Sequence, residues 1–300
     1  MESTLRLAVF TAADSPASAQ HVLEEVLQAS EVALTTLPDA VEAPSGLTAA
    51  AARVTADAQG VEALRTAVRS VRDVPAAVLL APQSLLDAER MLLVTDVDST
   101  LIEQEVIELL AAHAGREAEV AAVTERAMRG ELDFAQSLHH RVEALTGLPV
   151  GVMQEVAARI TPTAGAEALI RAAHRAGHKV GAVSGGFIQV LEPLAERLGL
   201  DHARANVLGV ADAALTGSVV GDVVDRAAKQ AALVSWAEAE GVPLSATIGM
   251  GDGANDLDLV DASALGVGVQ PKPALRARVD ATLDLRRLDT VAATLGWPLD

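Results

Sequence analysis

Two aspartates lie near the end of the stretch MLLVTDVDST, which runs from Met91 to Thr100. Asp96 and Asp98 are separated by one valine and follow an apolar segment that is typical of a buried strand. Burial of two carboxylates costs free energy unless a metal ion or a reaction uses them. A D-x-D pair alone is equally well explained as a turn or a helix cap, so other parts of the chain must decide its role.

Three further groups of polar residues fall beside the same predicted sheet edge. Ser184 and Gly185 belong to an SGG turn after a second strand, and Asp252 and Asn255 belong to GDGAND after a third. Lys229 lies on a predicted helix. Separately, these are an ordinary turn, a solvated lysine and a glycine-rich loop that lacks the downstream glutamate of a calcium loop. Because doubly wound sheets bind ligands at the carboxyl ends of their strands, the groups together predict one site.

These residue types suit the transfer of a phosphoryl group. Aspartates are ligands that Mg²⁺ prefers, and a carboxylate whose charge the metal balances can form an aspartyl-phosphate. A second aspartate can protonate the leaving oxygen and then activate water. A hydroxyl, the N–H groups of a glycine turn and an ammonium can hold the phosphoryl oxygens. The chain has no G-x-x-x-x-G-K-[ST] loop, which disfavours a nucleotide-triphosphate enzyme of that type.

Strands and helices alternate from Met91 onward, which predicts a doubly wound parallel α/β sheet over residues 91–290. The helical block at about 109–163 lies between the first two strands of this sheet and is too long for a crossover. We therefore expect a helical cap insertion over the carboxyl edge. Residues 1–85 show the order βαββαβ of an α+β ferredoxin-like module, and we expect them to be an accessory lobe.

The composition limits the partners. With 23 Lys and Arg against 41 Asp and Glu, the formal net charge is −18, which argues against nucleic acid or an anionic membrane as a partner. The chain has no cysteine and therefore no disulfide or thiolate metal site. No apolar run approaches the ~20 residues of a membrane span, and the amino terminus lacks the apolar core of a signal peptide. We therefore expect a cytoplasmic protein that acts on a small molecule.

The motif order D-x-D-S-T, S-G-G, lysine and G-D-G-x-N-D resembles that of the haloacid dehalogenase-like superfamily of phosphohydrolases. Within it, five stretches resemble the phosphoserine phosphatase family along nearly all of residues 91–285: DVDSTLIEQEVIELLA, RAMRGELDFAQSLHHRVEALTGL, VSGGF, NVLGVADAALTGSVVGDVVDRAAK and GDGANDLDL. The resemblance implies a haloacid dehalogenase-like core, a Mg²⁺ cofactor, and hydrolysis of L-phosphoserine through an aspartyl-phosphate, the last step of serine biosynthesis. Residues 1–85 are similar to amino-acid-binding ACT-like modules, which implies an amino-acid ligand and a homodimer as possible partners.

The same resemblance implies roles for the core residues. Asp96 would be the nucleophile and a metal ligand, and Asp98 would be the general acid and base, with its backbone carbonyl also reaching Mg²⁺. Asp252 would be the remaining carboxylate ligand, supported by Asp256. The residues implied for the phosphoryl group are Ser184, Gly185, Lys229 and Asn255.

Three residues of the cap region are implied to read the substrate. L-phosphoserine carries an ammonium and a carboxylate besides its phosphate, so a specific pocket needs an acid and a bidentate guanidinium. The resemblance implies that Glu105 meets the ammonium, Arg141 meets the carboxylate and Phe134 closes over them. Phe134 and Arg141 are seven residues apart, two helical turns on one face. Without the resemblance, Arg141 is a solvated helix charge and Phe134 a core aromatic.

Two other functions fit parts of the sequence. A phosphatase or phosphotransferase for another small phosphorylated amine or acid would keep the core motifs and differ in the cap. A regulatory protein would sense an amino acid with residues 1–85 and have a silent catalytic half. The complete set Asp96, Asp98, Lys229 and Asp252 argues against a silent catalytic half.

Overall fold

The amino-terminal part has the expected order βαββαβ in a computed structural model that describes residues 2–30, 35–128 and 131–299. Its elements are β1 (Ser3–Ala12), α1 (Ala19–Ala29), β2 (Thr35–Asp39), β3 (Leu47–Ala56), α2 (Ala58–Ser70) and β4 (Ala76–Pro82). β1 pairs antiparallel with both β3 and β4, and β2 pairs with β3. The predicted second strand, EVALTTL, begins in residues 31–34, which lie outside the described residues.

The larger part is a doubly wound α/β sheet, as predicted. The short helix α3 (Gln83–Leu86) leads into it. Its strands are β5 (Leu92–Thr95), β6 (Lys179–Phe187), β7 (His202–Ala211), β8 (Ala214–Val220), β9 (Thr247–Gly251), β10 (Leu265–Val269) and β11 (Ala281–Leu283). Its helices outside the cap are α8 (Ala166–Arg175), α9 (Ile188–Leu198), α10 (Arg226–Glu240), α11 (Leu257–Ala262), α12 (Pro273–Arg276) and α13 (Asp289–Leu295). Strands β11-β10-β9-β5-β6-β7 run parallel in that order.

Strand β5 is buried on both faces, which explains its uninterrupted apolar sequence. Leu93 belongs to the core that α8, α9 and α13 cover, whereas Leu92 and Val94 pack with α10 and α11 on the other face. A parallel strand in the middle of such a sheet needs apolar side chains at every position. The strand ends at Thr95, so the two aspartates that follow emerge at its carboxyl edge.

The helical cap lies between β5 and β6, as predicted. Its helices are α4 (Val106–Ala114), α5 (Glu117–Met128), α6 (Phe134–Glu143) and α7 (Val152–Arg159). Helix α6 begins with a capping box, in which Asp133 accepts the N–H of Gln136 and the Gln136 side chain accepts the N–H of Asp133. This cap fixes the start of the helix that carries Phe134 and Arg141.

The sheet is mixed rather than purely parallel, because both of its ends carry antiparallel strands. At one end β8 folds back on β7 as a hairpin that the sequence did not lead us to expect. At the other end β4 pairs antiparallel with β11, for example Leu79 with Ala281. One sheet of eleven described strands therefore runs through both parts. The division into residues 1–85 and 91–290 stays a prediction, but the two parts share backbone hydrogen bonds.

The two parts also share a hydrophobic core. Alternate residues of β1 face opposite sides: Leu7 and Val9 pack inside the amino-terminal part, whereas Ala8 and Phe10 join the core of the larger part. Phe10 is fully buried there. The amino-terminal part is therefore packed against the larger part and not only tethered to it.

Candidate active site

Asp96 is positioned by the end of β5. Its backbone N–H donates to the carbonyl of Met250 in β9 at 2.8 Å, so the sheet still holds the backbone where the side chain turns away. Lys229 on α10 brings its Nζ to 2.7 Å from Asp96 Oδ1 and to 2.7 Å from Asp256 Oδ1. All three side chains are buried. The lysine predicted as a phosphoryl ligand therefore also bridges two carboxylates.

The charges of this buried group depend on one another. Burial and the neighbouring Asp256 raise the pKa of Asp96, while Lys229 acts in the opposite direction. Burial alone would lower the pKa of Lys229, but the carboxylates of Asp96 and Asp256 outweigh it and raise that pKa. The Lys229 ammonium is therefore charged at neutral pH.

Three carboxylates lie close enough together to hold a cation. One oxygen each of Asp96, Asp252 and Asp256 lies within 4.8 Å of the others. Asp256 is already engaged, since its Oδ1 contacts Lys229 and its Oδ2 accepts the N–H groups of Asp252 and Gly253 at 3.1 Å each. Asp96 and Asp252 line the open cavity. They are the two carboxylates of the group that can face a cation and a substrate together.

Asp98 is held in a different way. Its Oδ1 accepts the N–H of Val106 at the start of α4 at 2.7 Å, and its Oδ2 accepts the hydroxyl of Ser184 at 3.1 Å. The Ser184 hydroxyl in turn accepts the N–H of Gly186 at 2.7 Å. Burial raises the pKa of Asp98, although these hydrogen bonds oppose the shift. The raised pKa favours the protonated form that a general acid needs.

The cap closes over these groups and leaves a cavity of about 430 Å³. Glu105, Phe134 and Arg141 line it together with the core residues Asp96 and Asp98. The predicted residues that line the cavity are Asp96, Asp98, Glu105, Phe134, Arg141, Gly185, Asp252 and Asn255.

The other predicted residues lie below the cavity or contact the residues that line it. Ser184 and Gly185 were predicted in a turn after the strand, but β6 continues to Phe187 and includes both, with an irregular register after Val183. Ser184 and Lys229 lie beneath the cavity, 2% and 0% exposed. Asn255 donates to Asp96 Oδ2 at 3.4 Å. At Gly185 in β6, an added Cβ would lie 3.0 Å from Phe134 Cζ, so the cap ring packs closely against this glycine.

The two ends of the predicted substrate pocket differ in charge. Burial and the charge of Asp98 raise the pKa of Glu105, and a hydrogen bond from Ser99 opposes this. Arg141 is partly buried, and its Nε donates to the carbonyl of Ser137 one turn earlier on α6. An acid and a guanidinium therefore face one cavity whose floor carries carboxylates and an ammonium.

Sequence reasoning missed two residues of this site. Lys272 lines the cavity, and its Nζ lies 2.9 Å from Asp252 Oδ2. Asn206 is buried, donates to the carbonyl of Gly185 at 2.8 Å and accepts the N–H of Val224 at 2.7 Å. Lys272 follows β10, and this position at the carboxyl edge of the sheet could have indicated that it belongs to the site. Asn206 begins NVLGVADAALTGSVVGDVVDRAAK, a stretch that resembles the family, but it was given no role because the hairpin that carries it was not predicted.

Residues 93–261 match the profile of the haloacid dehalogenase-like hydrolase family. This stretch covers more than half of the chain and contains the acidic group, Ser184 in β6 and Lys229 in α10. The chain belongs to the haloacid dehalogenase-like hydrolases. Among the residues that the structure describes, no helix is long and apolar enough to cross a membrane.

Curated relatives of this haloacid dehalogenase-like hydrolase include phosphoserine phosphatases. The one from Streptomyces coelicolor is 55% identical over 68% of this chain and 50% of its own length. The one from Streptococcus thermophilus is 49% identical over 62% of this chain and 87% of its own length. This chain thus spans about half the length of the Streptomyces relative and most of the length of the Streptococcus relative.

Two solved structures extend the similarity to three dimensions. A phospho-aspartyl intermediate analogue of a phosphoserine phosphatase is 40% identical, with a TM-score of 0.64 over 68% of this chain and 98% of that chain. An unliganded probable phosphoserine phosphatase from Vibrio cholerae is 30% identical, with a TM-score of 0.73 over 97% of this chain and 86% of that chain. The second similarity includes the amino-terminal part as well as the hydrolase core.

Proposed function

We propose that the protein is a Mg²⁺-dependent phosphatase that hydrolyses L-phosphoserine to serine and phosphate, the last step of serine biosynthesis. One observation carries the proposal: Glu105 and Arg141 line the same cavity as Asp96 and Asp98. An acid and a guanidinium over a nucleophile and an acid–base pair match the ammonium, carboxylate and phosphate of this substrate. The relatives named phosphoserine phosphatase support the same assignment.

The reaction proceeds in two steps at Asp96. In the first, an Asp96 carboxylate oxygen bonds to phosphorus, the bond from phosphorus to the serine oxygen breaks, and Asp98 gives that oxygen its proton. In the second, Asp98 takes a proton from water as the water attacks phosphorus, and the aspartyl-phosphate bond breaks to release phosphate. The raised pKa of Asp98 supports this role, because the residue has to begin the cycle protonated.

The donor set fits a hard cation, and we propose Mg²⁺. The carboxylates of Asp96 and Asp252 and the backbone carbonyl of Asp98 would hold it, since Mg²⁺ prefers oxygen ligands. Bound there, the ion would balance the negative charge of the carboxylates and polarise the phosphoryl group. Asp256 would not bind the ion but would hold its ligands in position, because it accepts hydrogen bonds from Lys229 and from the N–H of Asp252.

The phosphoryl oxygens have their own proposed partners. Ser184 and Gly185 lie near the carboxyl end of β6, and Ser184 contacts Asp98. Asn255 donates to Asp96 Oδ2 at 3.4 Å, and Lys229 brings a charged donor to 2.7 Å from Asp96 Oδ1. Donors fixed in this way stabilise charge that develops on a transferring phosphoryl group. Phe134 closes the cavity against Gly185 and keeps water from the substrate.

For the amino-terminal part we propose a lobe that binds an amino acid and joins two copies of the chain in a cytoplasmic enzyme. Its support is the βαββαβ order and a cavity of about 150 Å³ lined by residues of α1, α2 and the segment before β4. The tests are light scattering for the dimer, and calorimetric titration with serine for the ligand. A monomer that binds no amino acid would contradict this role and leave the catalytic proposal intact.

The catalytic proposal is tested by phosphate release from a panel of substrates. We expect L-phosphoserine to have a higher kcat/KM than phosphothreonine or a sugar phosphate. Removal of divalent cations should abolish release, and added Mg²⁺ should restore it. A sugar phosphate as the preferred substrate, or full activity in a chelator, would contradict the proposal.

A further inference from the structure

The segment that follows Asp98 closes on itself through side chains as well as backbone. The hydroxyl of Ser99 donates to Glu105 Oε1 at 2.7 Å, and the N–H of Ser99 donates to the carbonyl of Gln104 at 3.2 Å. The N–H of Val106 donates to Asp98 Oδ1 at 2.7 Å. One short loop therefore links the proposed general acid to the proposed ammonium ligand.

Ser99 occupies a backbone conformation that serine seldom adopts. Its φ is +56°, in the left-handed region that favours glycine. A non-glycine residue stays in this region only where surrounding contacts stabilise it, and the hydrogen bond from Ser99 to Glu105 is one such contact. Glycine would fit the same backbone without strain, so the conformation alone does not call for a serine hydroxyl.

Arg286 holds this turn from the far end of the chain. Its Nη2 donates to the carbonyls of Ser99 and Ile102 at 3.2 Å and 3.1 Å. Hydrogen bonds from a charged donor are among the stronger ones in proteins. These contacts hold the backbone of the turn, and the Ser99 hydroxyl is held separately by its hydrogen bond to Glu105.

We propose that Ser99 is a positioning residue that sets the orientation of the Glu105 carboxylate toward the substrate ammonium. The inference rests on the proposed function, in which Glu105 reads that ammonium. A glutamate side chain has several rotamers, and the charges of Glu105 and Arg141 attract each other across the cavity. The Ser99 hydroxyl occupies Oε1 and leaves Oε2 for the ammonium, which keeps the acid and the guanidinium at separate ends of the substrate.

The test compares Ser99→Gly, Ser99→Ala, Glu105→Gln and the double variant Ser99→Gly/Glu105→Gln. Each is assayed with L-phosphoserine and with p-nitrophenyl phosphate, which has no amine. Ser99→Gly keeps the left-handed backbone and removes the hydroxyl, and we expect about a tenfold rise in KM for phosphoserine from the lost charge-assisted bond. Values for p-nitrophenyl phosphate should stay within about twofold, since Asp96 and Asp98 are untouched. Ser99→Ala should show the same selectivity and guards against an effect of added backbone freedom.

The double variant separates positioning from a general structural role. If Ser99 acts through Glu105, Ser99→Gly/Glu105→Gln has the same KM for phosphoserine as Glu105→Gln alone. Equal losses of Ser99→Gly on both substrates, beside a selective Glu105→Gln, would overturn the inference and leave the proposed function standing. Equal losses of Glu105→Gln on both substrates would overturn the proposed role of Glu105 and the inference with it.

Discussion

Lys229 Nζ lies at the same distance, 2.7 Å, from Asp96 Oδ1 and from Asp256 Oδ1. The lysine side chain is 1% exposed, and the two carboxylates are 4% and 0% exposed. Because all three groups are shielded from water, the positive charge of Lys229 is needed to stabilise the two neighbouring carboxylates. Without it, both carboxylates would be buried with no opposite charge nearby.

Lys229→Met should therefore destabilise the fold as well as stop turnover. Loss of one partner from a buried ion pair typically costs about 3–5 kcal/mol of unfolding free energy, because the remaining charges are stranded. Urea unfolding measures this loss. The matched control is Lys272→Met, which removes a lysine whose side chain is 63% exposed, so its ion pair with Asp252 should contribute below about 1 kcal/mol. Equal stabilities of the two variants would contradict the importance of burial.

Asp96→Asn and Asp98→Asn should fail at different steps. An amide at position 96 cannot attack phosphorus, so no phosphoenzyme should form in a rapid-quench experiment with labelled substrate. Asp98→Asn keeps the nucleophile and should form some phosphoenzyme, while turnover falls by roughly 10²–10⁴-fold for lack of proton transfer. Phosphoenzyme in Asp96→Asn would mean that another residue attacks.

His178 should make stability depend on pH. Its Nδ1 accepts the N–H of Met91 at 3.2 Å, and its ring packs on Trp297 with the ring centroids 4.8 Å apart. Burial lowers the pKa of His178 below its unfolded value of about 6.5. The unfolded chain then binds the proton more tightly, so the stabilisation is complete above about pH 6.5 and is lost as the pH falls through the folded pKa.

His178→Gln tests this dependence, since the amide oxygen can still accept the Met91 N–H but does not titrate. Urea unfolding about one unit above and about one unit below pH 6.5 gives the change in unfolding free energy for each protein. We expect the unsubstituted chain to lose more stability between the two pH values than His178→Gln. Equal losses would show that other groups cause the acid sensitivity.

Removal of residues 1–82 should harm solubility more than chemistry. The cut exposes the free edge of β11, where Ala281 pairs with Leu79, and the surface that Phe10 covers. Exposed edges and apolar surface promote association, so we expect a lower melting temperature and more light scattering. The soluble fraction should still release phosphate. The control is Arg65→Ala, which removes the ion pairs with Asp280 and Glu62 and leaves the strands in place. A folded, soluble, inactive fragment would contradict the prediction.

The elements predicted correctly from the sequence are those with local signals. Strand β5 is a run of apolar residues that ends at an acid, and α6 begins with the capping pair Asp133 and Gln136. Strand β11 has only three residues, Ala281 to Leu283, and becomes a strand through its partners β10 and β4. Such a strand depends on tertiary contacts and leaves no periodic pattern in the sequence.

The same distinction applies to the site. Asp96 was predicted from a D-x-D pair that follows an apolar strand, and Lys229 from its place in the motif order that resembles the superfamily. Lys272 reaches Asp252 because its backbone N–H donates to the Asp252 carbonyl at 2.8 Å and turns the side chain back toward the carboxylate. That contact joins two loops that follow different strands, and the sequence alone does not reveal it.

Arg141 carries the prediction about substrate choice. The guanidinium is partly buried in the cap and faces the cavity, where a substrate carboxylate would form a charge-assisted pair. Arg141→Ala should weaken phosphoserine binding by about 2–5 kcal/mol, measured as KM, because the carboxylate is left without its partner. Phosphoethanolamine has the ammonium but no carboxylate, so its KM should change far less.

The matched control for this change is His140→Ala on the same helix. His140 is exposed and does not line the cavity, so its loss should leave both substrates unaffected. Selective loss in Arg141→Ala alone would mean that the guanidinium recognises the carboxylate of the substrate. Equal loss on phosphoserine and phosphoethanolamine would instead mean that Arg141 holds the cap in place. The ratio of the two KM changes therefore separates recognition from cap stability, because a displaced cap weakens every substrate alike.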